Sequence, residues 1–381
     1  MDDLILSSRT PDATWTELGK LLDLTPAEPL QKILGVNVSF KKGSDKAGGF
    51  FDAAFSMPDY SKLLVERYKQ VKGALPLSPR VTSPYLQVSP SEYTSSKETD
   101  ALTVFQQHAA SIIMGVMYLA RMCRSDILNT TTELTTHLTK WSRVSDKKLQ
   151  TLLSYLNNTA DYAMWGRVRC RQAQGFRLEH FADANLGGLD LCTRSVSGGL
   201  SFVVDDLDTR FPVFFSSRRQ TATATSTAES ELVALTKLVL ESVLPLEETL
   251  EFLFQKEIPS TTWEDNMACT LVVRSGFSQA LRHLQKHHRL AIGTAHETYS
   301  ADHRELKHIA TERQRADGLT KGMAPCKIPS IRSQLGIFPI TTGLDSTFLS
   351  KTVGSNQTAA DAEWPANWDR YADELKAQTA K

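Results

Sequence analysis

The sequence has 381 residues, of which 41% are hydrophobic and 23% charged, and its 43 basic and 43 acidic side chains give a formal net charge of zero. This length and composition predict two or three folded domains with sizeable cores and exclude global disorder. The zero net charge excludes a generally basic nucleic-acid binder, so nucleic-acid binding would have to depend on local basic patches.

Cysteine usage and hydropathy indicate a compartment. The five cysteines are widely spaced and include no C-x-x-C pair, which argues against a disulfide framework or a zinc site and favours a reducing environment. No apolar run approaches the roughly 18 residues of a membrane span, and no basic-then-apolar targeting signal opens the chain. We therefore expect an intracellular, soluble protein without membrane contact.

The N-terminal region begins abruptly. The first six residues read MDDLIL, so two aspartates stand directly before an apolar run, without the polar lead-in that usually opens a domain. This beginning predicts a cut through the middle of a longer protein. A helix is then expected at about residues 14–24, a strand at 34–40, a glycine-rich turn at 43–49 and a helix at about 59–71.

The middle of the chain changes from irregular to helical. Residues 73–96 contain four prolines among serines and threonines, which predicts a linker or an extended surface segment. From about 103 to 159 the apolar residues recur at helical spacing, and a second helix is expected to begin near Ser145. A wide apolar stripe in this region contains Ile112, Val116, Leu119 and Cys123.

After Gly175 the pattern becomes that of an α/β unit. Three strand-like runs with short loops predict an antiparallel meander at 177–185, 198–205 and 211–216. The later expected elements are a capped helix from Ser226, a strand at 261–265, helical segments to about 298, a strand at 305–309 and a helix from Thr311. Together they predict a mixed sheet with flanking helices. Beyond Gly322 the chain is rich in Pro, Thr and Ser, and we expect a loosely ordered tail.

The helix start at Ser226 contains two glutamates with different expected roles. Ser226 and Glu229 form a capping-box pattern, in which each side chain binds a backbone amide of the other residue. Glu231 has no such local role and shares a helical stripe with Leu235 and Leu238, so it must be solvated, paired or bound to a cation. Considered alone, an exposed acid in the first turns is the simpler interpretation.

Four acids fall where the predicted α/β unit would expose them on one face. They lie near strand ends and helix starts at Asp183, Glu231, Asp265 and Asp317. Hard divalent cations such as Mg²⁺ prefer oxygen ligands, and two ions about 3.5 to 4 Å apart can activate water and stabilise a leaving oxygen.

Each acid also has a structural interpretation. Asp183 could be a turn residue, and Asp265 with Asn266 could form an Asx turn. Asp317 could stabilise the first turns of a helix capped by Thr311 and Gln314. Composition and spacing leave these alternatives open.

Five short motifs follow one another between residues 179 and 321. They are FADAN at 181–185 with RSVSG at 194–198, SSRRQ at 216–220 with STAESEL at 226–232, EDN at 264–266, QKH at 285–287, and TERQRADGLTK at 311–321. In order and spacing they resemble the ribonuclease H domain that closes the polyprotein of copia-type retrotransposons. The resemblance implies a ribonuclease H-like fold in which Asp183, Glu231, Asp265 and Asp317 are the catalytic, metal-binding acids.

The resemblance extends upstream of this domain. The run HAASIIMGVMYLA at 108–120 with RSDI at 124–127 resembles the family's helix beyond the polymerase, and LGV at 34–36 resembles one of its strands. Asp2 and Asp3 lie about where the family's Y-V-D-D polymerase motif should end, so they would be two of the three polymerase carboxylates, with the tyrosine missing.

The resemblance implies the following organisation. Residues 1–72 would be the C-terminal remnant of a reverse-transcriptase palm, 73–100 a Pro/Ser-rich linker, 101–170 a helical thumb or connection, 172–322 the ribonuclease H-like domain and 323–381 the tail. The partners would be an RNA–DNA hybrid and other parts of the Pol polyprotein, in the cytoplasm within a virus-like particle, or in the nucleus.

The implied activity is hydrolysis of the RNA strand with two Mg²⁺ ions, or Mn²⁺ in their place. RNA-directed DNA polymerase activity would belong to the full-length parent, because the third polymerase carboxylate would lie upstream of this chain. Two alternatives remain: a catalytically inactive nucleic-acid-binding remnant, and an integrase-type nuclease, which also clusters acids.

Basic residues near the predicted site are candidates for phosphate contacts. They are Arg218, Arg219, Lys286, Arg289 and Arg313. A solvated helix face explains any one of them equally well. His308 could protonate the leaving group, or it could lie in a strand and point away.

Overall fold

The fold is a mixed α/β arrangement. A computed structural model describes residues 4–7, 10–45, 48–89, 91–93, 105–169, 175–189, 192–277 and 289–342. Asp2 and Asp3, and positions 343–381 of the predicted tail, lie outside the described residues. Among those described, no helix has both the length and the apolar character needed to cross a membrane.

The described chain contains ten strands and ten α-helices. The strands are β1 (Lys32–Ile33), β2 (Val36–Asp45), β3 (Gly48–Ser56), β4 (Tyr162–Arg169), β5 (Arg177–Asn185), β6 (Val196–Val204), β7 (Arg210–Arg219), β8 (Ser260–Glu264), β9 (Arg304–His308) and β10 (Ile337–Pro339). The helices are α1 (Pro11–Leu18), α2 (Pro58–Gln70), α3 (Ala109–Cys123), α4 (Leu128–His137), α5 (Arg143–Asn158), α6 (Thr227–Leu238), α7 (Leu244–Phe254), α8 (Met267–Ser275), α9 (Arg289–Thr298) and α10 (Ile328–Leu335).

The first sheet has the order β1-β2-β3-β4-β10, with all neighbours antiparallel. The region predicted as a strand at 34–40 and a glycine-rich turn is a β2–β3 hairpin, in which Gly43 pairs with Phe50. Sequence patterning missed β3 because its FFDAAF run does not alternate between apolar and polar residues. β4 lies at the end of the region 101–170 that is predicted to be a mostly helical thumb or connection.

The second sheet has the order β7-β6-β5-β8-β9. β5, β6 and β7 form the predicted antiparallel meander, whereas β8 and β9 continue the sheet in parallel on the other side of β5. Parallel neighbours require crossover connections, and here α6 and α7 lie between β7 and β8 in sequence, and α8 and α9 between β8 and β9. The sheet is therefore mixed, as the element order predicts.

One apolar core joins the second sheet to the helices before it. Phe181 and Phe202 belong to the same buried cluster as Ile113 of α3 and Leu152 of α5. The expected linker contacts α5 at Pro76, whose carbonyl oxygen is 2.5 Å from the Gln150 amide nitrogen. Buried apolar side chains from both sides of the boundary predicted near residue 172 thus belong to one cluster.

Two predictions for the C-terminal part are wrong. The expected α-helix from Thr311 is instead a pair of 3-10 turns, Thr311–Arg313 and Arg315–Leu319. The expected loose tail includes α10 and β10, and β10 pairs with β4. Ile331 and Ile337 bury their side chains in the shared core, which explains why this segment is ordered despite its polar composition.

Candidate metal centre

Two of the predicted acids meet because β5 and β8 are parallel neighbours in the middle of the sheet. Phe181 of β5 lies opposite Trp263 of β8, and continuing this register by two residues brings Asp183 opposite Asp265. Asn266 caps α8, since its side-chain oxygen accepts from the Cys269 amide at 3.0 Å. The helix start thus uses Asn266, and the Asp265 carboxylate is not needed as its cap.

The start of α6 supplies the third acid. The Ser226 hydroxyl accepts from the Glu229 amide at 3.2 Å, which confirms the predicted N-cap. Glu229 does not return a bond to Ser226: its carboxylate accepts from the Thr225 amide at 2.6 Å and from the Thr225 hydroxyl at 2.8 Å. Glu231, two residues later, is buried with its Oε2 atom lacking a hydrogen-bond partner among the described residues.

Asp183, Glu231 and Asp265 converge at one point. One oxygen atom of each lies within 4.8 Å of the others, an arrangement that could hold a metal ion. Asp183 is 1% exposed and Glu231 3% exposed, so both carboxylates are nearly removed from water. Placing three carboxylates this close together, two of them buried, is unfavourable unless a cation or protons compensate for their charge.

The pKa values of these groups reflect that cost. Burial is the main cause that raises the pKa of Asp183 to about 6, with Lys321 opposing the shift and Asp317 and Asp265 adding to it. Burial, and then the nearby Glu264 and Asp183, raise the pKa of Glu231 well above its ordinary value. A divalent cation between these groups would favour their ionised forms and reverse both shifts.

Glu264 is a further buried acid beside the site, which the sequence interpretation missed. It is fully buried at the end of β8, where its Oε1 atom accepts from the Asn266 amide at 3.0 Å. Its Oε2 atom has no partner among the residues that the structure describes, and burial raises the pKa of Glu264 well above its ordinary value. Because side chains alternate along a strand, Glu264 lies on the same face of β8 as Thr262. The sequence pattern does not indicate which of the two faces of β8 is buried.

The fourth predicted acid, Asp317, lies beside the other three on the second 3-10 turn. Gln314 fastens this turn to the sheet, because its amide nitrogen donates to the Ala182 carbonyl at 2.7 Å and its side-chain oxygen accepts from the Ala316 amide at 3.2 Å. The capping box expected from Thr311 and Gln314 is therefore absent. Asp317 is outside the group of three acids that could share an ion, and its side chain is 22% exposed.

Lys321 connects Asp317 to the group. Its Nζ atom lies 2.5 Å from Asp317 Oδ1 and 3.4 Å from Asp183 Oδ1. The hydroxyl of Thr320 donates to the other oxygen of Asp183. Burial would lower the pKa of Lys321, but the neighbouring carboxylates of Asp183 and Asp317 outweigh it and raise this pKa, so the ammonium is charged.

A glycine on β6 allows this turn to approach the sheet. Gly198 pairs with Asp183, and a Cβ at this position would lie 2.6 Å from Thr320 Cγ2 and 3.2 Å from the Ala316 carbonyl oxygen. Real Cβ atoms essentially never come within 3.0 Å of another heavy atom, so the RSVSG motif ends in glycine for a steric reason. The close packing of the turn on Gly198 keeps Thr320 and Lys321 next to Asp183.

Three predicted phosphate-binding residues are described with their side chains. Arg218 and Arg219 are exposed at the end of β7, and Arg218 NH1 is 2.8 Å from Glu241 Oε1. The register places Ser217 opposite Gly198 and Gly198 opposite Asp183, so the arginines lie two strands, roughly 10 Å, from the acids. Arg313 is exposed on the first 3-10 turn.

The other predicted contacts are less defined. Lys286 lies outside the described residues, and Arg289 begins α9 but its side chain is not described. His308 lies beside the site, where its Nε2 atom is 3.2 Å from the Asp265 carbonyl oxygen. Because a carbonyl can only accept, this nitrogen donates, and His308 holds the backbone that carries Asp265.

The donor set fits a hard divalent cation. Asp183, Glu231 and Asp265 offer only carboxylate oxygens, which Mg²⁺, Ca²⁺ and Mn²⁺ prefer over nitrogen or sulfur ligands. The Oε2 atom of Glu231, buried and without a partner among the described residues, is the kind of group that a cation satisfies. When the chain is compared with models of known protein families, none matches it.

Proposed function

We propose that this chain is a metal-dependent nuclease of the ribonuclease H type, which hydrolyses the RNA strand of an RNA–DNA hybrid. The observation that carries the proposal is the convergence of Asp183, Glu231 and Asp265 from three elements that are far apart in sequence. The proposed metal is Mg²⁺, with Mn²⁺ as a substitute, because the ligands are all oxygen atoms.

The arrangement of the second sheet supports the assignment to a ribonuclease H-like fold. It has five mixed strands with flanking helices, and its central strand β5 carries the first acid of the motif series. The motifs at 181–185, 226–232, 264–266 and 311–321 lie around the same group of carboxylates. Their convergence on one group of acids supports the proposal.

The proposed source is the C-terminal part of a copia-type Pol polyprotein. Polymerase activity would belong to the full-length parent, and we do not assign it to this chain, because Asp2 and Asp3 alone cannot form a polymerase metal site. The other proposed partners are the remaining parts of that polyprotein.

The residues of the chain would divide the work as follows. Asp183, Glu231 and Asp265 would hold one ion, and Asp183 with Asp317 would hold a second. Bound there, the ions would activate a water molecule and stabilise the leaving oxygen of the phosphodiester. His308 holds the Asp265 backbone in place.

Substrate orientation is assigned to the basic residues on the same end of the sheet. Arg218 and Arg219 are exposed two strands away from the acids, where they would neutralise phosphates of the hybrid. The protein would distinguish RNA from DNA by the 2′-hydroxyl groups and the groove shape of the hybrid.

The test is cleavage of a labelled RNA–DNA hybrid by the full chain with Mg²⁺, compared with single-stranded RNA, duplex RNA and duplex DNA. The full chain is required because the core of the second sheet is completed by α3, α5 and α10. We expect cleavage of the RNA strand of the hybrid alone, and its loss in Asp265→Asn.

The matched control is Glu305→Gln. Glu305 is an exposed acid of β9 that contacts Lys307, so its replacement removes one negative charge from the same sheet without touching the site. Hybrid binding without cleavage would identify an inactive nucleic-acid-binding remnant, and cleavage that persists in Asp265→Asn would refute the assigned site.

A further inference from the structure

The second cation position of the proposed site already contains a cation from the chain itself. Lys321 Nζ lies 2.5 Å from Asp317 Oδ1 and 3.4 Å from Asp183 Oδ1, so it bridges the two carboxylates that a second divalent ion would have to share. The three acids that could hold the first ion do not include Asp317. The two cation positions are therefore chemically different.

We propose that Lys321 is a built-in competitor for the second divalent ion, and that this ion enters only when the Lys321 ammonium swings away from Asp183 and Asp317. This inference rests on the metal-binding part of the proposed function. It adds a regulatory step to it: the site binds one ion readily, and the second ion must displace a residue of the chain.

The geometry explains why both cations cannot stay. Asp183 has two oxygen atoms, and the Thr320 hydroxyl already donates to one of them while Lys321 contacts the other. A divalent ion shared by Asp183 and Asp317 would lie within a few ångströms of the ammonium, where two positive charges repel strongly at the edge of a protein. The ion and the ammonium therefore exclude each other.

The Lys321 side chain can also move away from the carboxylates into solvent. The Lys321 side chain is 34% exposed, unlike the nearly buried Asp183 that it contacts. Lysine has a long flexible stem and a strongly hydrated head group, so the ammonium can turn into water without unfolding the turn that carries it. A phosphate of the bound substrate offers it another partner, which would link release of Lys321 to substrate binding.

The test measures Mn²⁺ binding by the full chain, stripped with a chelator and examined by titration calorimetry and by the paramagnetic signal of unbound Mn²⁺. In the wild-type protein we expect one ion to bind clearly more tightly than a second. In Lys321→Met we expect the second ion to bind at least about tenfold more tightly, because its competitor for two carboxylates is gone. Lys321→Arg keeps the charge and should keep the weak second site.

Two controls separate competition from a general change of charge. Lys307→Met removes one positive charge from β9 at a residue that contacts only Glu305 among the ion pairs described, and it should change neither affinity. In the double variant Lys321→Met with Asp317→Asn, the gain at the second site should disappear, since the site has lost a ligand. Lys321→Gln replaces Lys321→Met if the latter does not fold by circular dichroism.

The results distinguish this inference from the proposed function. If the wild-type chain binds Mn²⁺ through Asp265 but Lys321→Met and Lys307→Met give the same affinities and stoichiometry as wild type, the competitor role of Lys321 is refuted and the first metal position stands. If Mn²⁺ binding is undetectable, or is unchanged by Asp265→Asn, the metal centre itself is refuted, and the inference fails with it.

Discussion

Two glutamates of one helix turn should respond in opposite ways to replacement. Glu229 and Glu231 are both buried at the start of α6, but Glu229 accepts two hydrogen bonds from Thr225, whereas Glu231 Oε2 has no partner in the described part of the chain. Glu229→Ala removes bonds that stabilise the fold. Glu231→Gln removes a carboxyl group whose ionised form the fold accommodates only at a cost.

The magnitudes follow from these contacts. Each bond lost in Glu229→Ala is worth about 0.5 to 1.5 kcal/mol, so we expect a loss of about 2 kcal/mol. Burial and the charges of Glu264 and Asp183 raise the pKa of Glu231, which means that its ionised form is destabilising near neutral pH. A glutamine is neutral and can donate to a neighbouring carboxylate, so Glu231→Gln should be as stable as the wild type or more stable.

The assay is urea unfolding of the full chain near neutral pH, first with a chelator and then with Mg²⁺. An ion that binds only the folded state with a Kd of about 1 mM adds about 1.4 kcal/mol at about 10 mM. The wild type and Glu229→Ala should gain this increment, and Glu231→Gln should gain little of it. The reasoning is refuted if Glu231→Gln loses as much stability as Glu229→Ala with the chelator, or responds to Mg²⁺ as the wild type does.

Three further predictions concern the surroundings of the site. Gly198→Ala places a methyl group 2.6 Å from Thr320 Cγ2, so we expect the free energy of unfolding to decrease by about 1 to 3 kcal/mol and Mn²⁺ binding measured by calorimetry to weaken. The control is Gly293→Ala, whose added methyl group has no heavy atom within 4 Å and should leave stability unchanged or increase it. Burial lowers the pKa of His180 to about 3, so below pH 6.5 the unfolded state binds a proton that the folded state does not. The free energy of unfolding should therefore decrease by about 1.4 kcal/mol for each unit by which the pH falls below 6.5. Unfolding titrations across that range should show a smaller slope for His180→Gln. Arg219→Ala should weaken hybrid binding and lower the salt slope measured by fluorescence anisotropy by about 0.9, and an unchanged slope would exclude a phosphate contact.

The second sheet was accessible from the sequence because its signals are local. Period-two patterning with short loops predicts the meander of β5 to β7, and the Ser226 cap marks the beginning of α6. The positions of Asp183, Glu231 and Asp265 then follow from the order of the elements, since parallel strands place their carboxyl ends at one edge. No unusual backbone conformation is needed to bring these three acids together.

The remaining features depend on contacts between distant parts of the chain. β10 has only three residues, and its pairing with β4 joins segments more than 160 residues apart, which no local pattern can indicate. The two 3-10 turns replace the predicted helix because Gln314 binds the Ala182 carbonyl and the Ala316 amide. The roles of Glu264 and Lys321 could not be predicted from the sequence, because they depend on which groups surround these side chains in the folded protein.

The C-terminal segment determines where the fourth acid lies. A Cβ on Gly318 would lie 2.6 Å from Ile331 Cγ2, so the turn that carries Asp317 packs directly on α10. Ile331 is buried in the core that α3 and α5 share with the second sheet, and β10 fixes the end of α10 to the first sheet through β4. Asp317 and Lys321 are thus held from one side by β5 and from the other by α10. The positions of these two residues, and with them the proposed competition at the second cation position, depend on a segment that lies outside the region at 179–321 that the motifs define.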